Sequence, residues 1–101
     1  MTTDTDIREA LRQVIDPELG VNIIDLGLVY RVEIEGASIR VVMTMTSPAC
    51  PLGDYVKDLV ESTIKWRLPE VQHVDVALTW EPPWNPDMMS DAARQQLSEG
   101  T

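Results

Sequence analysis

Cys50 is the only cysteine in the 101-residue chain, and it stands in the run Ser47-Pro48-Ala49-Cys50-Pro51. Behind it Leu52, Tyr55, Val56, Leu59, Val60, Thr63 and Ile64 recur at helical spacing. The sequence therefore predicts a helix that opens at or next to Cys50 and ends near Leu68, before Pro69. Pro51 suits its first turn. Unpaired N–H groups and the positive end of the dipole favour an anion at a helix start. A thiol placed there is more readily a thiolate, the form that attacks an electrophile or binds metal. Pro48 and Pro51 stiffen the turn and hold the sulfur in a defined place. The other reading of Cys50 is a small buried apolar residue, as free cysteines commonly are.

Carboxylates are the next candidates. Asp16 and Glu18 bracket Pro17, and Asp25 follows at a distance. Beside a thiolate they could bind iron, take a proton or cap backbone N–H groups; as a plain Asp-Pro-Glu turn they need do none of this. Thr44, Thr46 and Ser47 run along the polar side of a strand toward Cys50. Their hydroxyls could bond a ligand or the thiolate, though Thr is also simply a good strand residue. His73, the only histidine, has no local metal partner and reads as solvated. Trp80 and Trp84 frame a rigid proline segment that is either a partner-docking surface or a lid on the sheet. No phosphate-cradling glycine loop, nucleotide fingerprint or paired Cys-x-x-Cys spacing is present.

The elements that must position these residues follow from periodicity. Ile7, Ala10, Leu11, Val14 and Ile15 predict a first helix, capped by Asp4 or Thr5 and stopped by Pro17. Leu26, Leu28, Tyr30, Val32 and Ile34 alternate with their neighbours and predict a strand. Glu35-Gly36-Ala37-Ser38 is a turn, and Ile39, Val41, Met43 and Met45 give a second strand, so the two form an antiparallel hairpin. After the Cys50 helix, Val74, Val76, Leu78 and Trp80 predict a third strand. The segment from Glu81 to Asp87 must be extended or turning. A short last helix begins with Ser90 as its cap and carries Ala93 and Leu97 on one face. The expected fold is α/β of the α+β type, in the order α-β-β-α-β-α. It is one domain over residues 1–101, a three-stranded mixed sheet with helices packed on one face. The crossover from strand two to strand three should be right-handed; strand three lies beside strand two or strand one, with a parallel place beside strand two favoured.

Composition narrows the function. Lys and Arg total 8 against 17 Asp and Glu, a net charge of −9. Such a chain repels phosphate backbones and anionic membranes, so neither nucleic acid nor a membrane is an expected partner. One cysteine excludes an intramolecular disulfide. No signal peptide or spanning segment is visible, and a reducing cytoplasm is the expected location.

Four segments in order resemble a known family: Asp16-Pro17-Glu18-Leu19, Ile24 to Tyr30, Met43 to Pro51, and Trp80-Glu81-Pro82-Pro83-Trp84. They are similar to the iron–sulfur assembly proteins that include the SufT and PaaD branches, over about Ile7 to Leu97. The resemblance implies an α/β domain that matures iron–sulfur proteins, with a reactive cysteine at Cys50 as the metal-binding position. It implies that the positions of Asp16, Glu18, Thr44 and Thr46 gather near that cysteine, with Asp25 attached more loosely. The further C-terminal cysteines of the PaaD branch have no counterpart here, which points to a general assembly role nearer SufT. A typical cluster takes four thiolates. Cys50 would then hold a transient iron–sulfur cluster only with help from a second copy in a homodimer, a small thiol, or carboxylates such as Asp16 and Glu18. The implied partners are other iron–sulfur assembly proteins and apo client proteins. The expected role is a non-enzymatic carrier or adaptor. The alternative is a thiol enzyme with Cys50 as nucleophile and a carboxylate as base.

Overall fold

The computed structural model describes residues 2–17, 19–45 and 53–99, apart from the side chains of residues 53, 98 and 99. Glu18, Thr46, Ser47 and Cys50 therefore lie outside the described residues, as does the expected opening of the second helix at Cys50. The elements are α1 (Asp4–Leu11), β1 (Val29–Glu35), β2 (Ser38–Met43), α2 (Gly53–Arg67), β3 (His73–Leu78), a one-turn 3-10 helix (Pro86–Met88) and α3 (Asp91–Glu99). The sheet runs β1-β2-β3, with β1 antiparallel and β3 parallel to β2, which is the favoured of the two strand orders left open by the sequence.

Both ends of α1 differ from the sequence reading. Its cap is Thr3, not Asp4 or Thr5. The Thr3 hydroxyl accepts from the Asp6 N–H at 3.2 Å, and the Asp6 carboxylate accepts from the Thr3 N–H at 3.1 Å. This reciprocal box satisfies two donors that either alternative would leave open. The helix also stops at Leu11, six residues short of Pro17. Beyond it the Val14 carbonyl accepts from the Ile23 N–H and the Asp16 N–H donates to Val21. Pairing with the returning chain takes the groups that another helical turn would need. Val14 keeps its place in the core, while Ile15 turns outward and bridges to Asn22.

β1 starts later than its alternation suggests. Leu26 and Leu28 are fully buried but belong to the turn that leads into the strand. The register then slips: Val29 faces Met43 while Arg31 faces Val42, so Tyr30 is the extra residue of a bulge. Beyond it the pattern is regular. Val32, Val41 and Val76 share the inner face, and Glu33, Arg40 and Asp75 share the outer one. The helices pack on the inner face, around a core that includes Ile7, Leu11, Val56, Val60 and Ile64. The outer face carries exposed ion pairs, Arg31–Glu33 at 3.9 Å and Arg40–Asp75 at 3.6 Å. Among the described residues no helix is long and apolar enough to cross a membrane.

After β3 the chain forms a strap over one end of the sheet. The Thr79 N–H donates to the Met43 carbonyl, and the Glu81–Pro82 bond is cis. The Tyr30 hydroxyl donates to the Pro82 carbonyl at 2.7 Å. The 3-10 turn follows, capped by Asn85, whose side chain accepts from the Asp87 N–H. Ser90 caps α3 as expected, its hydroxyl accepting from the Ala93 N–H at 3.1 Å. Ala93 is fully buried and Leu97 packs against the core.

Candidate functional site

The segment Asp16 to Leu28 is pinned to the end of β2 by backbone alone. Ile23 donates to Val14, Leu28 donates to Ile23, and Thr44 donates to Leu28 at 2.8 Å. With the bond from the Asp16 N–H to the Val21 carbonyl, these bonds link the Asp16 turn and the Thr44 end of β2. Asp16 folds its own turn: its carbonyl accepts from Gly20, and Oδ1 accepts from the Leu19 N–H at 3.1 Å.

Asp16 and Thr44 are the polar or charged residues that the fold buries among the described residues, at 1% and 0% exposure. Both stand in segments singled out from the sequence. The expectation that Thr44 lies on the polar side of the strand is corrected: the residue is fully buried, and its N–H donates to the Leu28 carbonyl. Its Oγ1 makes no hydrogen bond among the described residues. It lies close enough to the Tyr30 phenol to oppose, in part, the upward push that burial gives that group's pKa.

Asp25 has both side-chain and backbone partners. Its carboxylate accepts from the Asn22 amide at 2.8 Å and from Arg12 Nη1 at 3.0 Å. Its own N–H donates to Asn22 Oδ1, and its carbonyl accepts from the Ser90 N–H at 2.7 Å. The Asn22 bond, with Arg12 behind it, holds the Asp25 carboxyl below the usual carboxylate range, against the opposing effect of burial. The geometry is that of a strut joining the end of α1, the Asn22 turn and the cap of α3. Sequence reading named Asp25, and named Ser90 only as a helix cap, but missed Arg12 and Asn22 as its partners. The Asn22-x-x-Asp25 spacing was the available signal.

The two tryptophans separate. Trp84 is half-buried, packs against the core, and donates from its indole N–H to the Leu26 carbonyl at 2.7 Å. Trp80 is 42% exposed and lies past the end of β3, not inside it. His73 is exposed on the outer face of the sheet, as expected. Between strap and sheet lies an open cleft of about 750 Å3, lined by Gly27, Tyr30, Arg31, Val42, Pro82 and Met88 among others. Among the described residues no group of three or more His, Cys, Asp or Glu could hold a metal ion.

The fold, the buried Asp16 and Thr44, and the four ordered segments define an assembly-type α+β domain. The chain belongs to the iron–sulfur cluster assembly protein family, whose model matches residues 4–78. It is 46% identical to the Fe-S protein maturation auxiliary factor SufT of Staphylococcus aureus, over 83% of this chain and 96% of that one. It is also 46% identical to the auxiliary factor YitW of Bacillus subtilis, over 91% and 90% of the two chains. A crystal structure of a domain of unknown function from Bacillus anthracis superposes with a TM-score of 0.91 at 38% identity, covering 94% of this chain and 91% of that one.

Proposed function

We infer that this protein is an iron–sulfur cluster assembly or transfer factor that aids maturation of iron–sulfur proteins through Cys50. Family membership and the maturation-factor relatives support the general role. The observation that carries the residue assignment is the burial of Asp16 and Thr44. The polar groups this small core retains fall in the two segments that hold Asp-Pro-Glu and lead to Cys50.

The chemistry follows from ligand count. Thiolate is the soft ligand suited to iron–sulfur clusters, and such clusters ordinarily take four. One chain supplies one, from Cys50. The remaining positions fall to a small thiol, to carboxylates such as Asp16 and Glu18, or to the carrier or client in contact. A cluster held this way is cargo on a weak, open site. Delivery is ligand exchange without net redox change. The bond between a cluster iron and the Cys50 sulfur breaks as one to a client thiolate forms, and the proton of the incoming thiol passes to solvent or a neighbouring base. Thr46 and Ser47 are the hydroxyls nearest Cys50 in sequence and are candidates to bond its sulfur. The partners are then other assembly proteins and apo clients.

Anaerobic reconstitution with iron and sulfide, read by visible absorption, tests the ligand assignment. The parent chain should develop charge-transfer bands that Cys50→Ser loses or holds only labile. Equal uptake by the two would remove Cys50 as a ligand. Bands in neither, with client maturation supported by the parent alone, would assign Cys50 to a contact with a carrier or client.

A further inference from the structure

Met88 stands where its sulfur is both reachable and held. The residue is half-buried and lines the open cleft between strap and sheet. Of the other methionines among the described residues, Met43 and Met45 are buried and Met89 packs against the core. The backbone around Met88 is fixed: its N–H donates to the Asn85 carbonyl at 3.0 Å, and its carbonyl lies against Gly27. The sulfur is 3.6 Å from the Tyr30 hydroxyl, while that hydroxyl donates to the Pro82 carbonyl at 2.7 Å. A phenol has one proton to give and a thioether is a weak acceptor, so the Pro82 carbonyl holds it. Tyr30 thereby ties the strap to β1.

We propose that Met88 is a site of reversible oxidation by peroxide, and that its sulfoxide draws the Tyr30 proton away from Pro82 and loosens the strap. A sulfur lone pair attacks one peroxide oxygen. The O–O bond breaks as the S–O bond forms, and the other oxygen leaves as water with both hydrogens. Sulfur loses two electrons and the peroxide gains them. A dithiol-dependent sulfoxide reductase reverses the step, releasing the oxygen as water while its own thiols form a disulfide. Oxidation converts an apolar side chain into a polar one. The new oxygen is a strong acceptor one bond from a sulfur that already adjoins the single Tyr30 proton. The Pro82 carbonyl then loses its partner, while Trp84 and Ser90 keep the chain attached at Leu26 and Asp25. The change is therefore a local loosening between Thr79 and Asn85. It lies at the Met43 end of β2, from which the chain leads on to Cys50. It needs no iron and stands independently of the cluster reading.

Metal-free protein, kept with a chelator and treated with hydrogen peroxide, tests both halves of the proposal. Peptide mass mapping reads the sites, and amide hydrogen exchange reads the strap. The parent and Cys50→Ser are run together, so that oxidation of the thiol is not mistaken for the effect. Met88 should gain one oxygen about tenfold faster than Met43 or Met45, which burial shields. Exchange between Thr79 and Asn85 should rise about threefold or more in the oxidised chain and fall back after treatment with a sulfoxide reductase. Met88→Leu should be indifferent to peroxide in this segment. Met88→Gln, which sets a permanent amide carbonyl near Tyr30, should show the loosened strap without oxidant. In Tyr30→Phe, folded by circular dichroism, oxidation should add nothing, because the contested proton is gone. Equal oxidation rates at Met88, Met43 and Met45 in the folded chain overturn the proposal. So does unchanged strap exchange in chains oxidised at Met88, or the same oxidation-dependent rise in Tyr30→Phe. Should Tyr30→Phe unfold, Met88→Gln decides: a strap as protected as the parent's contradicts the proposal.

Discussion

Gly27 shows how tightly single residues set this structure. Its φ is +78°, and a Cβ there would clash with the Met88 carbonyl oxygen. Gly36 also has a positive φ, +61°, but open space around it. The two separate backbone strain from packing. Gly36→Ala should cost about 1–2 kcal/mol, the left-handed penalty alone. Gly27→Ala should cost roughly 3 kcal/mol or more, because the strap must also move. Thermal unfolding compares them; equal losses would mean that Met88 does not rest on Gly27. Asp25 gives a prediction in pH. Its carboxyl is depressed in the folded state, first by Asn22 and then by Arg12. It therefore contributes stability that is present above the unfolded value near 3.9 and lost as pH falls through the folded one. Arg12 is 44% exposed, so the ion pair itself is a modest part. Asp25→Asn should cost roughly 1–2 kcal/mol at neutral pH and flatten the acid limb of stability. Acid titration of the unfolding temperature checks it, and parallel curves for parent and variant would contradict it.

At the scale of elements, the hairpin, its parallel neighbour and the Ser90 cap were legible in the sequence because local pattern and tertiary burial agree there. Ile39, Val41 and Met43 alternate and face the core; Ser90 precedes a short helix with Ala93 buried three residues on. Where pattern and burial part, the reading slipped. Leu26 and Leu28 are apolar at period two, yet they fill the core from a turn, and the bulge at Tyr30 has no signature in composition. α1 ended early because its next carbonyls are claimed by residues up to nine positions away. The strap was unreadable as a strap, since prolines exclude regular structure without saying where the chain goes. Its geometry changes what Trp84 should do when altered. Trp84→Phe should lose the Leu26 bond, about 1 kcal/mol, and Trp84→Ala roughly 2–3 kcal/mol with its packing. For a chain of this size that is several degrees per kcal/mol in unfolding temperature. An unchanged unfolding temperature for Trp84→Ala would return the ring to the set of partner-docking side chains.

For the whole molecule, the candidate site was legible in parts. Asp16 and Thr44 were chosen for their segments and are the buried polar residues among the described ones, although periodicity alone put Thr44 on the polar side. Sequence could not show that Asp25 is occupied, because Arg12 and Asn22 meet it only after the chain turns back. Nor could it show that Tyr30 meets Met88, since only the path of the strap brings them together. The central claim is that Cys50 performs iron–sulfur work while the fold does not need it. The most direct measurement is the rate at which an apo iron–sulfur enzyme regains activity when supplied with iron, sulfide and a small thiol. It is run with parent chain, with Cys50→Ser and with neither, after unfolding temperatures of the two chains are matched. The account predicts faster recovery with the parent and the no-protein rate with Cys50→Ser, at unfolding temperatures within a few degrees. Equal recovery with both chains would contradict it.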